Sequence, residues 1–145
     1  KLDISAVEIN PKACIKLKKN IKNINIYNQS IFSFSQKYEN LNKKFDLTVS
    51  KTVLIHVDPN QIKKAYEALY LKSKKYILII EYHNPTPVKI KYRGHINKLF
   101  KRDFAGDMLN IYKDLKIIDY GFFYSKDPSL NNCDDLNWFL LKIIY

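Results

Sequence analysis

Residues 76–80, which read Tyr-Ile-Leu-Ile-Ile, constrain the fold of this chain more than any other stretch. A continuous apolar run rich in β-branched residues predicts a strand buried on both faces of a parallel sheet. The run ends in the polar residues 81–84, and Pro85 and Pro87 cannot continue a central strand. Open α/β sheets bind ligands just outside the carboxyl ends of their strands. The polar side chains of residues 81–84, a carboxylate, a phenol, an imidazole and an amide, are therefore predicted to lie where such a fold places its active site.

Apolar runs alternate with helix-start signals along the chain. Asn10-Pro11 and Asp58-Pro59 each put a capping side chain before a proline. Strands are predicted at residues 2–9, 25–29, 45–50 and 76–80, and helices at 11–20, around 62–70 and at 100–112. Residues 30–44 are predicted as a loop, and those between 81 and 99 as a polar insert. Two long strands, 116–124 and 136–145, are predicted to pair antiparallel.

This order predicts an α/β fold with a mostly parallel sheet, helices on both faces and a C-terminal antiparallel hairpin. The 145 residues are predicted to form a single domain. Cys14 and Cys133 have no metal or redox spacing and are typical of reduced thiols in a cytoplasmic protein. No apolar run of about 18 residues predicts a membrane span. No metal-binding, phosphate-loop or serine-hydrolase motif occurs.

A net charge of +11 favours anionic partners. The charge is carried almost entirely by lysine, because Arg93 and Arg102 are the only arginines. Phosphate recognition tends to use the bidentate fork of arginine, so the charge favours a small anionic molecule over nucleic acid.

Several strand-end residues are candidates for binding a nucleoside cofactor. Glu8 ends the first strand, where a carboxylate can accept hydrogen bonds from both ribose hydroxyls; the alternative is a solvated residue in a turn. Ser30 and Ile31 follow the next strand and could contact adenine, although serine is also an ordinary turn residue. Ser50 and Lys51, at the end of the strand at 45–50, are assigned to the cofactor as well.

The acceptor side is predicted after residue 80. His83, Tyr82 and Glu81 are the catalytic candidates, since proton removal needs a base within hydrogen-bond reach. The alternative for Glu81 and His83 is that they satisfy buried backbone groups. Substrate-binding roles are assigned to His56, Asn84, Arg93, His95 and Arg102. For His56 a role in the turn before Asp58 is the alternative, and for Arg102 an ion pair with Asp103.

The chain resembles the pseudaminic acid biosynthesis-associated methylases. The resemblance rests on VEINPKA (7–13), FDLTVSKTVLIHVDP (45–59), YILIIEYHNPTPV (76–88), YRGH (92–95) with LFKRDFAG (99–106), and DYGFFYSKDP (119–128). It implies the class I methyltransferase fold, S-adenosylmethionine as cofactor, and methyl transfer to a nonulosonic-acid sugar or sugar nucleotide in bacterial surface-glycan biosynthesis. By matching position, Glu8 would hold the ribose, Ser30-Ile31 the adenine, and the cluster after Glu81 the acceptor.

One part of the family pattern is absent. Such folds begin with a strand and a glycine-rich turn, whereas the three glycines here are Gly94, Gly106 and Gly121. We therefore expect an N-terminally truncated domain that is marginally stable, inactive alone, and weak in binding the cofactor. The alternatives are a catalytically idle, methyltransferase-like module that binds RNA or a protein, or a nucleic-acid methyltransferase. Steeply salt-dependent nucleic-acid binding would favour these alternatives.

Overall fold

The computed structural model describes residues 2–37, 42, 44–130 and 133–144, which belong to two compact units, residues 1–43 and 44–145. The first unit contains β1 (Ile4–Val7), α1 (Pro11–Asn20), β2 (Ile24–Tyr27) and α2 (Ile31–Gln36). β1 and β2 pair in parallel, with Ile4 opposite Ile24. This unit is therefore a β-α-β crossover followed by a short helix.

α1 begins where the sequence predicts. The Asn10 side chain accepts a hydrogen bond from the Lys12 backbone N–H at 2.9 Å, and Pro11 occupies the first turn. Lys18 and Lys19 lie in the last turn, where positive charge interacts favourably with the helix dipole. The asparagine–proline signal is confirmed.

α2 corrects the predicted loop at residues 30–44. Ser30 caps this helix by accepting a hydrogen bond from the Ser33 N–H at 3.0 Å. Phe34 is buried and its ring centre lies 4.8 Å from that of Tyr27. Only six residues long, the helix forms because this tertiary contact buries its aromatic side chain. Residues 38–41 and 43 of the predicted loop lie outside the described residues.

The second unit contains one four-stranded sheet. Its elements are β3 (Phe45–Lys51), a 3-10 helix (Leu54–His56), α3 (Ile62–Lys72), β4 (Ser73–Glu81), β5 (Val88–Tyr92), β6 (His95–Lys101), α4 (Phe104–Ile111), β7 (Leu115–Phe123) and β8 (Leu136–Ile143). The strand order is β3-β4-β8-β7. β3 and β4 are parallel, whereas β8 is antiparallel to both β4 and β7. The predicted antiparallel pair is confirmed, and the sheet is mixed rather than mostly parallel.

α3 and α4 cover the same face of this sheet. Thr48, which points to that face, lies 3.4 Å from the Leu69 carbonyl of α3, and Phe104 of α4 lines a cavity with Ile79 of β4. On the opposite face Leu47 and Val49 are 45% and 52% exposed. Within the second unit, α3 and α4 therefore lie on one face of the sheet.

The Asp58-Pro59 signal does not start a helix, and α4 begins later than predicted. Asp58 makes a turn by accepting the Asn60 N–H at 2.8 Å, so α3 starts at Ile62 and has no side-chain cap. Ile62, Ala65, Tyr66 and Leu69, which share the apolar face of α3, are buried. α4 starts at Phe104 behind the capping residue Asp103. The helix predicted to begin at residue 100 is shorter because residues 95–101 form β6.

The predicted polar insert contains a β-hairpin. β5 and β6 pair antiparallel, and Tyr92 lies opposite His95 across the two-residue turn Arg93-Gly94. Arg93 and Gly94 have φ angles of 49° and 86°, as a turn that follows the right-handed twist of its strands requires. Among the described residues no helix is long and apolar enough to cross a membrane.

Candidate active site at the carboxyl ends of the strands

Glu8 follows β1 at the carboxyl end of the parallel pair in the first unit. One carboxylate oxygen accepts the Asn10 N–H at 2.7 Å. The Asn28 side chain holds the turn by donating to the Glu8 carbonyl at 2.8 Å. Within the described part of the chain the second carboxylate oxygen has no hydrogen-bond donor. Glu8 is therefore held in place and keeps one oxygen for a ligand's hydroxyl groups.

Ser30 and Ile31 lie after β2, in the same unit. The Ser30 hydroxyl accepts the Ser33 N–H and lies 2.9 Å from the Ser33 hydroxyl. It is therefore engaged in capping α2, which differs from the predicted contact with adenine. Ile31 is the first residue of α2, and its side chain is half-buried.

Glu81 anchors the loop after β3 by hydrogen bonds. Its Oε1 accepts the Ser50 hydroxyl at 2.8 Å and the N–H groups of Val53 and Leu54 at 3.0 Å each. Glu81 is 2% exposed, and this burial raises its pKa, against the effect of the N–H donors. The structure thus gives Glu81 and the Ser50 hydroxyl, 4% exposed, a part in holding this loop. The catalytic assignment of Glu81 and the cofactor assignment of Ser50 stay predictions.

The loop held by Glu81 contains a strained residue. Thr52 has a φ angle of 51°, which β-branched residues rarely adopt, and its N–H donates to the Ile80 carbonyl at 2.9 Å. Such strain persists where surrounding contacts impose it, often at functional sites. The exposed Lys51 precedes Thr52 directly, at the end of β3. No sequence signal marks a threonine for this conformation.

His56 fastens the hairpin to the 3-10 helix. Its Nδ1 lies 2.7 Å from the Lys98 carbonyl of β6, and its ring centre lies 5.6 Å from that of Tyr92. The structure thus gives His56 a contact with the hairpin, which differs from the predicted alternative of a role in the turn before Asp58. The substrate contact of His56 stays a prediction.

The polar residues that follow Glu81 have different surroundings. Burial and a hydrogen bond to Asp134 raise the pKa of Tyr82 to about 12, so its phenol is a donor at neutral pH. Asn84 donates to the Thr86 carbonyl at 2.6 Å and shapes the turn into the hairpin. His83 stays partly exposed, with Nε2 at 3.9 Å from Asp103 Oδ1. Of the three catalytic candidates, His83 is the one whose imidazole is partly exposed and lines the cavity at the carboxyl end of β4.

Arg102 is tied into the core. Its Nε lies 2.6 Å from Oδ2 of Asp107, which also accepts the Tyr66 hydroxyl at 2.8 Å. Burial, followed by Asp107, raises the pKa of Tyr66. The partner is thus Asp107, not the neighbouring Asp103. The substrate contact of Arg102 stays a prediction.

Arg93 lies in the hairpin turn and His95 directly follows it, and both are exposed. The Arg93 guanidinium lies 5.2 Å from the ring centre of Tyr92, in cation–π range. The sequence reasoning named both residues but missed the strands that carry them.

A cavity of about 10 Å³ lies at the carboxyl end of β4, enough for one water molecule. It is lined by Ile79, Glu81, His83, Arg102, Phe104, Ala105, Asn137 and Phe139. The Oε2 atom of Glu81 is buried and lacks a hydrogen-bond partner in the described structure. Asn137 and Phe139 were not predicted as site residues, since an ordinary apolar strand carries no signal of what it faces.

No protein-family model and no curated protein matches this sequence. Solved structures do match the fold. The chain superposes on 1,6-didemethyltoxoflavin-N1-methyltransferase of Burkholderia thailandensis, solved with 1,6-didemethyltoxoflavin and S-adenosylhomocysteine, with a TM-score of 0.70 and 9% identity over 99% of this chain and 62% of that one. The N-methyltransferase NodS of Bradyrhizobium japonicum WM9, bound to S-adenosylhomocysteine, matches with a TM-score of 0.67 and 15% identity over 96% and 65% of the two chains.

An S-adenosylmethionine-dependent methyltransferase of Clostridium acetobutylicum matches with a TM-score of 0.64 and 14% identity, over 99% of this chain and 76% of that one. The chain spans less than two thirds of the length of the first two proteins. At these identities the likeness is one of fold. The chain has the α/β fold, with a mixed sheet, of the class I S-adenosylmethionine-dependent methyltransferases.

Proposed function

We propose that this chain serves S-adenosylmethionine-dependent methyl transfer to a small anionic acceptor, of which a nonulosonic-acid sugar or its nucleotide-activated form is the first candidate. The observation that carries the proposal is the superposition of 99% of the chain on a methyltransferase solved with S-adenosylhomocysteine. Bound S-adenosylmethionine would supply an electrophilic methyl group. The residues of the chain would bind the two reactants and hold them in line.

Glu8 supports a nucleoside site in the first unit. Its carboxylate is fixed by the Asn10 N–H and keeps one oxygen without a donor in the described structure. A carboxylate at the end of a strand suits the paired hydroxyls of a ribose. We assign the ribose to Glu8 and the adenine side to the segment after β2, through Ile31 rather than the capping hydroxyl of Ser30.

Titration of S-adenosylhomocysteine into the full-length natural protein by calorimetry tests this assignment. Glu8→Gln should weaken binding about ten- to a hundredfold, as expected for losing one or two charge-assisted hydrogen bonds. Asp3→Asn is the matched control, because Asp3 precedes β1 and bonds the Asn25 side chain at 3.0 Å. Absence of binding to the unaltered full-length protein would refute the proposed cofactor.

The β5–β6 hairpin supports an anionic acceptor. Residues 88–101 carry five of the 25 basic residues and none of the 14 acidic ones. In the described structure no carboxylate lies within ion-pair distance of these five side chains. The hairpin leaves the sheet at the carboxyl end of β4, so its uncompensated charge can attract carboxylate or phosphate groups to that end.

Methylation of N-acetylneuraminic acid and of its cytidine-monophosphate form by the full-length protein tests the acceptor. Arg93→Asn keeps a residue that tolerates positive φ and removes the charge. We expect a KM at least fivefold higher with kcat nearly unchanged, while Lys113→Asn, in the turn before β7, leaves both unchanged. Methyl transfer to neither sugar would remove this acceptor class and leave the cofactor assignment standing.

His83 is the proposed base, and the Tyr82 hydroxyl, whose proton bonds Asp134, is proposed to accept a hydrogen bond from the acceptor. His83 lines the cavity at the carboxyl end of β4 and is partly exposed. Once an acceptor is known, His83→Gln should lower kcat by about 10²- to 10⁴-fold, the usual contribution of a positioned base. Tyr82→Phe should cost less, because removing the hydroxyl takes away one hydrogen bond and no proton acceptor. Full activity in His83→Gln would show that positioning alone drives the reaction.

A further inference from the structure

Glu81 uses one of its two carboxylate oxygens to hold the loop after β3. Oε1 accepts three hydrogen bonds, all of them from residues 50–54. Oε2 is buried and has no hydrogen-bond partner in the described structure. A buried carboxylate oxygen without a donor is costly, so this atom favours a donor beside it.

The cavity at the carboxyl end of β4 lies on the side of this second oxygen. β4 pairs with β3 on one side and with β8 on the other, where Asn137 is opposite Glu81. The donors to Oε1 lie on the β3 side, whereas Asn137 and Phe139 of β8 line the cavity together with Glu81. Oε2 is therefore the carboxylate oxygen that faces the cavity.

The cavity has the volume and the polar groups that one water molecule needs. Its volume is about 10 Å³, and a buried water makes about two to four hydrogen bonds. Besides Glu81, the cavity is lined by the imidazole of His83, the guanidinium of Arg102 and the amide of Asn137. The side chain of His83 is 31% exposed, so the ring borders both the cavity and the solvent.

We propose that one water molecule in this cavity links Glu81 to His83, and that Glu81 is thereby a positioning residue for the proposed base. The water donates a hydrogen bond to Oε2, because an ionised carboxylate only accepts. It offers an oxygen lone pair to the imidazole, so the ring nitrogen beside the water carries a proton.

The other ring nitrogen is then unprotonated and available to the acceptor. When it takes the acceptor's proton, an N–H bond forms, the acceptor's O–H or N–H bond breaks, and the electron pair stays on the atom that attacks the methyl group. The inference rests on the proposed function for the role of His83 as base. The link between Glu81 and His83 itself does not depend on it.

Asp103 is the carboxylate that competes with Glu81 for control of His83. Its Oδ1 lies 3.9 Å from Nε2 of His83, beyond hydrogen-bond distance, and accepts the capping N–H of α4. Arg102 is the other charged residue that lines the cavity in the described structure, and its Nε lies 2.6 Å from Asp107. A test of the link must therefore separate Glu81 from Asp103.

NMR chemical shifts of the His83 ring nitrogens report which of them carries the proton, at about pH 8.5, where an ordinary imidazole is neutral. In the full-length natural protein we expect one tautomer to exceed the other about tenfold, the effect of one hydrogen bond. Glu81→Gln keeps an oxygen for the three donors and turns an N–H toward the cavity. The water must then donate to the ring, so the preference should fall about threefold or more, or reverse. Glu67→Gln, on the exposed side of α3, is the control and should change nothing.

Substitutions of Ala105 test the water itself. Ala105 lines the cavity, and one added heavy atom takes the place of one water molecule. Ala105→Cys brings a weak donor and should weaken the tautomer preference as Glu81→Gln does. Ala105→Ser has a similar shape but supplies a hydroxyl in place of the water, and it should retain the preference.

Three outcomes overturn the inference. The first is a ring without a tautomer preference, or with one that Glu81→Gln leaves unchanged. The second is a preference that Asp103→Asn abolishes and Glu81→Gln does not, which would assign the role to Asp103. The third is a change in Glu81→Gln without one in Ala105→Cys, which would mean that the carboxylate acts without a water. Thermal unfolding verifies that each variant is folded.

The spectra need neither cofactor nor acceptor, so they are independent of the calorimetric test of the proposed function. Absence of S-adenosylhomocysteine binding would remove the methyltransferase proposal and leave the link between Glu81 and His83 standing. Loss of the link would leave the proposed cofactor untouched.

Discussion

Glu81 connects the end of β4 to the loop after β3 through one carboxylate oxygen that accepts three hydrogen bonds. Each bond to a charged group contributes about 1.5–3 kcal/mol, so this oxygen fixes the loop that carries Lys51 and Thr52. The residue type matters because the glutamate side chain is long enough to place its carboxylate within hydrogen-bond distance of the Val53 and Leu54 N–H groups and the Ser50 hydroxyl. Glu81 thus supports the site without touching a ligand through Oε1.

The same burial predicts a pH dependence of stability. Burial raises the pKa of Glu81 in the folded state above its ordinary value of 4.5, so the folded protein binds this proton more tightly than the unfolded chain. The stability that results is complete below pH 4.5 and is lost as the pH rises through the raised pKa. Relative to Glu81→Gln, the unaltered protein should therefore lose melting temperature as the pH rises above 4.5.

Glu67→Gln is the control, since Glu67 is an exposed residue of α3. The melting temperatures of both variants and of the parent would be measured by circular dichroism across this range. A constant difference between parent and Glu81→Gln at every pH would contradict the predicted linkage.

Thr52 offers a test of strain in the same loop. Relief of a positive φ angle in a β-branched residue returns about 1 kcal/mol, so Thr52→Gly should raise the free energy of unfolding. Thr52→Val keeps the branched side chain and loses the hydroxyl, which bonds only the adjacent Lys51 carbonyl. It should give no gain. Chemical denaturation compares the three proteins, and equal values for Gly and Val would argue that the backbone is not strained.

At the level of elements, local chemistry predicted some boundaries and tertiary contacts set others. Asn10 and Pro11 are sufficient to start α1, and the apolar and aromatic residues of 116–124 are sufficient to predict β7. α2 escaped prediction because residues 31–36 have no helical stripe, and burial of Phe34 stabilises the helix. The hairpin escaped because Pro85, Pro87 and scattered lysines resemble a loop, while the decisive feature is the positive φ angle of Arg93.

The candidate site was predicted in outline. Strand-end position alone identified Glu8 and the cluster at residues 81–84. Which member is buried could not be predicted, because the donors to Glu81 come from residues 50–54, about thirty positions earlier. Phe139 and Asn137 gave no signal, since the pairing register that brings them beside His83 is a property of the sheet.

The N-terminus of α4 yields a prediction for a pair of residues. Asp103 accepts the Gly106 N–H at 2.8 Å, and a methyl group on Gly106 would overlap the Asp103 carboxylate. Gly106→Ala should therefore destabilise the protein, even though alanine favours a helix over glycine by about 1 kcal/mol. Asp103→Ala removes the cap at a cost of about 1 kcal/mol. In that background, Gly106→Ala should become stabilising.

A double-mutant cycle by chemical denaturation measures this change of sign. If Gly106→Ala has the same effect in both backgrounds, the carboxylate does not occupy the space beside Gly106.

Over the whole molecule, burial is divided unequally between the two units. Of the buried hydrophobic residues, Phe34 is the only one described in residues 1–43, and the others, among them Tyr66, Ile77, Met108 and Leu141, belong to residues 44–145. A unit of about forty residues is below the size that usually folds alone. We predict that a fragment 44–145 unfolds cooperatively on heating, whereas a peptide 1–43 shows no cooperative transition by circular dichroism.

A fragment 44–145 without a cooperative transition would mean that its core needs the first unit. The comparison should be made at equal molar concentration, with the 145-residue chain as the reference.

The fluorescence of Trp138 can report on one face of the sheet in solution. It is the only tryptophan of the chain, and its indole packs over Gly121, where a Cβ would come within 2.8 Å of the ring. It lines an apolar groove with Leu78 and Leu140 on the face that α3 and α4 leave uncovered. The fluorescence emission maximum of Trp138 therefore reports on the solvent exposure of that face. The emission is red-shifted while water reaches the groove and blue-shifted when further polypeptide or a ligand excludes water from it.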